Sequence, residues 1–105
     1  MTIEITRKTI GGTYEKTVAA TGTAEPLKDA AFMVDEVLIV ADSTNTQNVY
    51  VGFSAAIHKT TLPANPLAAS GQIKFGAVQG KRIDLSDVYL DVDINGEGVW
   101  VTFLA

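Results

Sequence analysis

Apolar and polar residues alternate in short runs along this chain, and Gly, Asn and Pro residues separate the runs. A period of two residues is typical of β-strands that bury one face. Strand patterns that recur every ~8–12 residues, with turn-forming residues between them, are typical of a sandwich or jelly roll. The sequence therefore predicts an all-β, antiparallel fold, either a β-sandwich or a jelly roll.

Two apolar runs in the middle of the chain, Val37–Ala41 and Val49–Phe53, flank a link rich in Asp, Ser, Thr and Asn. Apolar β-forming runs bounded by turn residues predict two strands and their connection. The first run is apolar on both faces, because Leu38 and Val40 point away from its other apolar residues. Such a strand belongs in the middle of a packed sheet, so this stretch is predicted to be the core hairpin.

The C-terminal part contains Asn95-Gly96 between two alternating runs. This dipeptide favours a two-residue type I′ turn, which needs positive φ at both central positions. The sequence therefore predicts a C-terminal β-hairpin that buries all the apolar side chains of one face. The paired residues would be Val92 with Val99, Leu90 with Val101 and Val88 with Phe103.

The opposite face of this hairpin would carry Tyr89, Trp100 and Leu104. In the predicted register Tyr89 and Trp100 are diagonal neighbours, within reach of each other across the two strands. Exposed Trp and Tyr side chains are typical of protein-binding surfaces. These three residues are candidate interface residues; the alternative is that a loop or the N-terminal strand covers them.

Residues 1–20 are predicted to form an N-terminal strand or arm, and residues 21–105 the β-sandwich of this one-domain protein. Ile3 and Ile5 alternate with polar residues, and Gly11-Gly12 would break the strand as a flexible joint. Such an arm could pair with the sheet edge of a neighbouring molecule, which makes Ile3 and Ile5 candidate interface residues. The alternative is an ordinary edge strand of the same sandwich.

Composition excludes several classes of protein. The chain has 105 residues, which fits one domain, and it has no Cys with which to form disulfides. Its net charge of −4, with eight scattered Lys and Arg residues, is unfavourable for nucleic-acid binding. No apolar run approaches the ~20 residues of a membrane helix, and the N-terminus has no signal-peptide pattern. We expect a soluble protein that is made inside a cell and is either used there or assembled there into something larger.

The sequence offers no catalytic constellation. Asp91, Asp93 and Asn95-Gly96 match the opening of an EF-hand loop, but the twelfth position holds Thr102 instead of a carboxylate, and the flanks are β-like. His58 is the single histidine; Ser54 precedes it by four residues, but no acid is placed to orient it and the chain has no Cys to act as a nucleophile. We therefore expect no metal, no cofactor and no enzymatic activity, and we read both aspartates as the solvent face of a strand.

Several short motifs occur in a recognisable order along most of the chain. They are TGTA at 21–24, VLIVAD at 37–42, VYVG at 49–52, IDLSDVYLD at 83–91 and NGEGV at 95–99. This order resembles the small structural proteins of tailed bacteriophages known as head decoration (cement) or head-fibre proteins. The resemblance runs from Thr21 to the C-terminus, although the loop at Pro63–Pro66 is longer than the connection expected at that place.

The resemblance implies a non-enzymatic jelly-roll sandwich that self-associates, as a homotrimer, and binds the major capsid protein on the outer surface of the head. The protein would then be located in the virion, after assembly in the host cytoplasm. One alternative is a tail, baseplate or fibre-anchoring component with the same fold. A second alternative is a carbohydrate-binding sandwich, for which Trp100 and Tyr89 would supply an aromatic platform.

Overall fold

The computed structural model describes residues 11–62 and 64–105. Every strand pair in these residues is antiparallel and no α-helix occurs among them, which confirms the predicted all-β, antiparallel class. A 3₁₀ turn spans Leu85–Asp87. The strands are β1 Gly11–Thr17, β2 Glu25–Pro26, β3 Met33–Val34, β4 Glu36–Ala41, β5 Val49–Gly52, β6 Pro66–Leu67, β7 Gln72–Gly76, β8 Ile83–Asp84, β9 Tyr89–Val92 and β10 Gly98–Leu104.

The strands form two four-stranded sheets and one small ribbon. Sheet 1 has the order β1-β10-β4-β7, sheet 2 has the order β2-β9-β5-β6, and β3 pairs with β8. Alternate side chains from both sheets lie in one hydrophobic core, where each fully buried Val or Leu contributes ~1.5–3 kcal/mol. The core side chains from the central strands are Val37, Ile39, Ala41, Val99, Val101 and Phe103 of sheet 1, and Val49, Val51, Leu90 and Val92 of sheet 2.

Both predicted hairpins are wrong, and for the same reason. β4 and β5 lie in different sheets, as do β9 and β10, so neither pair shares a ladder. The predicted facing of the C-terminal strands is nevertheless right, because Val88, Leu90, Val92, Val99, Val101 and Phe103 are all buried. Alternation defines which side chains face the core, but a strand in either sheet satisfies it equally well.

The turn at Asn95-Gly96 shows why the C-terminal hairpin does not form. Only Gly96 has positive φ, whereas a type I′ turn requires it at both positions. The Gly96 N–H donates to the Val18 carbonyl at 2.8 Å, and the Asn95 side chain accepts from the Thr21 N–H at 2.8 Å. The connection is thus held by the chain that follows β1, and it leads from sheet 2 to sheet 1.

The connections that cross between the sheets are bonded to one another. Asn45, in the β4–β5 connection, is buried and donates from Nδ2 to the Gly98 carbonyl at 2.8 Å. In the same connection, the Thr46 N–H donates to Oε2 of Glu97 at 2.8 Å. A Cβ at Gly98 would overlap with the Lys16 carbonyl, so only glycine fits where β10 begins. These contacts hold together the connections through which the chain passes from one sheet to the other.

The predicted flexible joint at Gly11-Gly12 is also wrong. Both glycines belong to β1 and pair with Leu104 and Phe103 of β10. A Cβ at Gly12 would lie 3.0 Å from the Phe103 ring, so the glycine allows close packing there. Residues 11–17 of the predicted N-terminal segment therefore form a strand of sheet 1, whereas Ile3 and Ile5 lie outside the described residues.

Candidate interaction surface

The outer face of sheet 1 presents alternate side chains of four adjacent strands, and we call it the open face. Across it, Trp100 pairs with Glu15 and Val40, and Thr102 pairs with Leu38. The members of the open face are Thr13 and Glu15 of β1, Trp100, Thr102 and Leu104 of β10, Glu36, Leu38 and Val40 of β4, and Gln72 and Lys74 of β7.

An apolar strip follows the middle of the open face. Trp100 and Leu104 are each 45% exposed, and Leu38 and Val40 are half-buried beside them. Leu38 and Leu104 line a shallow groove of about 230 Å³. This volume is below the ~300–1,000 Å³ of ordinary small-molecule sites, so the surface is better suited to contact with a protein.

Polar side chains flank the strip, and Thr102 lies within it, between Trp100 and Leu104 of β10. Lys74 Nζ lies 2.9 Å from Glu36 Oε1, with both side chains largely exposed, and the hydroxyls of Thr13 and Thr102 are 3.1 Å apart. An exposed ion pair of this kind contributes only ~0–1 kcal/mol to folding. An apolar centre with a polar rim is the usual arrangement of a protein-binding surface.

The outer face of sheet 2 differs, because residues 54–62, 64 and 65 fold over it; we call these residues the covering segment. Ile57 is only 2% exposed, and its Cγ2 lies 3.1 Å from the place where a Cβ of Gly52 would be. Asn65 donates from Nδ2 to the Val51 carbonyl at 2.9 Å, which fixes the end of the segment. Tyr50 is buried beneath this covered face.

The structure separates the predicted interface residues. Trp100 and Leu104 lie in β10 on the open face, as the sequence predicted. Tyr89 is half-buried in β9 of sheet 2, where it pairs with Pro26 and Gly52, so it is not a neighbour of Trp100. The predicted Tyr89–Trp100 contact is therefore wrong, and the aromatic platform expected for a carbohydrate-binding site is not formed by this pair.

For two residues of the strip, the position in the structure differs from the one that the sequence predicted. Leu38 and Val40 were expected to be buried in the middle of a packed sheet. β4 is indeed a central strand, but these two side chains face outward and are only half-buried. The apolar residues on both faces of β4 could have indicated this outcome. In a protein of two packed sheets, a strand buries only one of its faces in the shared core.

The residues that resemble an EF-hand opening hold the loops together. Asp91 is only 1% exposed, and its Oδ1 accepts from the N–H groups of Gly22 at 3.0 Å and Val92 at 2.8 Å. The prediction that Asp91 faces solvent was wrong, because the connection after β1 covers it. Asp93 accepts from the Tyr50 hydroxyl at 3.2 Å, and burial, reinforced by this carboxylate, raises the pKa of Tyr50.

The side chains of His58 and Tyr14 also have partners within the fold. Within residues 11–62 and 64–105, no group of three or more His, Asp or Glu side chains is placed to hold a metal ion. His58 Nδ1 lies 3.0 Å from the Thr60 hydroxyl within the covering segment. Burial raises the pKa of Tyr14 to about 12, and its hydroxyl donates to the Leu27 carbonyl at 2.9 Å.

Comparisons with protein-family models, curated proteins and solved structures found no match to this chain. The resemblance to phage head proteins therefore depends on the sequence motifs alone. No helix in the described part of the chain is long and apolar enough to cross a membrane. The open face is the feature of this structure that best suits contact with another macromolecule.

Proposed function

We propose that this protein is a capsid decoration protein of a tailed bacteriophage. It is a non-enzymatic jelly-roll sandwich that self-associates, as a homotrimer, and binds the major capsid protein on the outer surface of the head. The observation that carries the proposal is the open face, where Trp100 and Leu104 stay exposed although the core is complete without them. Its location is the virion, after assembly in the host cytoplasm.

The distribution of apolar side chains supports a binding role. The core joins both four-stranded sheets, and the covering segment buries the second outer face with Ile57. Among the described residues, the chain thus covers one outer face and leaves the other accessible. Tryptophan at the centre of a polar-rimmed surface is the residue type most often found to dominate binding energy.

A modest surface is sufficient for this role. A capsid presents many identical sites around its local symmetry axes, and an oligomer that contacts several of them at once gains from effective concentration. Weak contacts from each subunit therefore give strong total binding. Contacts that cross capsomer boundaries would also resist the internal pressure of the packaged genome, which is the stabilising function proposed here.

The proposal is tested by co-sedimentation of the pure protein with expanded, empty capsids, followed by cryo-EM of the complex. The wild-type protein should saturate the capsid surface in a fixed ratio. Trp100→Ala should weaken binding by about 30-fold, the effect of removing one dominant contact residue. The matched control is Leu62→Ala on the covering segment, because Leu62 is 43% exposed and Trp100 is 45% exposed.

Three results would contradict the proposal. The first is a wild-type protein that does not bind heads but binds purified tails or fibres, which would favour the tail, baseplate or fibre-anchoring alternative. The second is equal weakening by Leu62→Ala and Trp100→Ala, which would show that the open face has no special part in the contact. The third is binding to a glycan array in place of capsids, which would favour the carbohydrate-binding alternative.

A further inference from the structure

Sheet 1 ends at β7, and in the described part of the chain no strand pairs with the outer edge of β7. The inward side chains of this strand, Ile73 and Phe75, are only half-buried against the core. The Phe75 ring contacts the Phe53 ring with 5.0 Å between centroids, and Phe53 is 57% exposed. Apolar side chains are therefore partly accessible at this edge.

The main chain of β7 is arranged to accept another strand. The β4–β7 ladder is flanked by hydrogen bonds from Ala41 N to the Gly71 carbonyl and from Ala77 N to the Asp35 carbonyl, each of 2.8 Å. Because paired and unpaired positions alternate in an antiparallel ladder, Ile73 and Phe75 bond to β4. The N–H and C=O groups of the intervening residues, Lys74 among them, therefore point to the free edge.

The other edge of sheet 1 is closed to such addition. Lys16 of β1 points inward, where its Nζ lies 2.8 Å from Oε1 of Glu25 in sheet 2. An inward-pointing charge on an edge strand is a known protection against strand addition, because a new strand would have to bury it. Apolar side chains occupy the corresponding positions of β7, so β7 is the edge that an added strand would select.

One segment of this chain has the pattern that β7 requires. Ile3-Glu4-Ile5 carries a negative residue between two apolar ones, whereas Ile73-Lys74-Phe75 carries a positive residue between two apolar ones. In an antiparallel pairing Glu4 would lie opposite Lys74, with Ile3 beside Phe75 and Ile5 beside Ile73. Opposite charges and apolar pairs directly across a ladder each stabilise it.

We propose that residues 3–5 of one molecule add as a strand to the β7 edge of a second copy of this protein. Residues 1–10 lie outside the described part of the chain, so the inference uses their sequence and the position of Gly11 only. It deepens the proposed function and rests on its self-association part, because it names the contact between subunits. Affinity comes from main-chain hydrogen bonds, and selectivity from alternate side chains.

The position of Gly11 makes addition within one molecule unfavourable. Gly11, Leu104, Glu36 and Gly76 lie in one row across sheet 1. A strand beside β7 would be four strand spacings from β1, or ~19 Å. The six residue steps from Ile5 to Gly11 span at most ~20–22 Å when fully extended. This leaves no length for the turns that residues 6–10 would need to connect the two strands. A neighbouring molecule imposes no such limit.

The inference is tested by disulfide trapping, because the natural chain has no Cys. Pure protein with Glu4→Cys is mixed with protein that carries Lys74→Cys and oxidised without capsids, so a cross-link between them can only join two molecules. Cα atoms opposite each other in a ladder are ~4.5–5.5 Å apart, within the range of a disulfide. The matched control replaces Lys74→Cys by Glu15→Cys, at the β1 edge.

The expected result is a cross-linked dimer of the 4–74 pair at least tenfold more abundant than that of the 4–15 pair. A dominant 4–15 product, or no product although the wild-type protein is oligomeric by light scattering, would overturn the inference. A wild-type protein that stays monomeric at high concentration would overturn it as well, while capsid binding could still succeed. The failure of this inference and the failure of the proposed function are therefore distinguishable.

A charge exchange gives a second readout that needs no oxidation. Glu4→Lys and Lys74→Glu should each reduce the oligomer mass measured by light scattering, and the two changes together in one chain should restore it. Asp29→Lys, at an exposed acidic residue outside the open face, is the control and should leave the oligomer unchanged. Loss of association in both single variants without recovery in the double variant would contradict the pairing of Glu4 with Lys74.

Discussion

The two outer faces of this protein are built from similar strands but are used differently. The outer face of sheet 2 is covered by the chain between β5 and β6, which buries Ile57 and Tyr50. The open face of sheet 1 has no such cover among the described residues and exposes Trp100 and Leu104. An apolar side chain on the first face stabilises the fold, whereas one on the second is available to a partner.

The largest difference between the faces is expected for apolar truncations. Ile57→Ala should lower the free energy of unfolding by ~2–4 kcal/mol, because it removes buried methylene groups and leaves a cavity. Leu104→Ala, at an exposed site of the open face, should change it by less than ~0.5 kcal/mol. Urea unfolding followed by circular dichroism measures both values, and equal losses would show that the open face also belongs to the folded core.

A smaller difference is expected for the two acidic residues Asp91 and Glu36. Asp91→Ala should cost ~1–3 kcal/mol, because the N–H groups of Gly22 and Val92 would lose their acceptor in a buried place. Glu36→Ala on the open face should cost less than ~1 kcal/mol, the usual worth of an exposed ion pair. Thermal unfolding of both variants tests this, and an unchanged melting temperature for Asp91→Ala would contradict it.

The pH dependence of the melting temperature should follow the half-buried Lys16–Glu25 ion pair at the β1 edge of sheet 1. The Lys16 ammonium, aided by the Ala19 N–H, holds the pKa of Glu25 below its usual value. A lowered folded-state pKa stabilises the protein above the unfolded pKa, and this contribution disappears as the pH falls through the folded pKa. The melting-temperature advantage of the wild-type protein over Glu25→Gln should therefore be present at pH 7 and vanish in strong acid. An advantage that persists in strong acid would contradict this assignment.

The smallest effect is expected for the exposed pair of the open face. Lys74→Met should leave the melting temperature within ~2 °C of the wild-type value, because an exposed ion pair contributes little. Differential scanning calorimetry at low and high salt is the appropriate measurement. A drop comparable to that of Glu25→Gln at pH 7 would show that the open face depends on its charges for folding.

The sequence predicted the facing of the strands better than their pairing. Val92 and Val99 are both buried, as their alternation required, yet they belong to different sheets. Alternation is a local property, whereas the choice of sheet depends on loop contacts such as that of Asn45 with Gly98, which joins distant parts of the chain. No local pattern contains that information.

The candidate site was predictable in part for the same reason. Trp100 and Leu104 were identified because alternation alone places them opposite the core. Tyr89 was assigned to the same surface only through the predicted hairpin. Because that hairpin does not form, Tyr89 lies in sheet 2 and is not part of the open face. Leu38 belongs to the strip because β4 pairs with β10, and this pairing was not predicted from the sequence.

Hydroxyl-radical footprinting with mass spectrometry tests the central claim most directly, that the open face is the contact surface. Trp100 and Leu62 are almost equally exposed, at 45% and 43%, and lie on the open face and the covering segment. When the protein is bound to capsids, Trp100 should lose most of its reactivity and Leu62 should keep its own. Protection of Leu62 with an unchanged Trp100 would contradict the account and place the contact on the covered face.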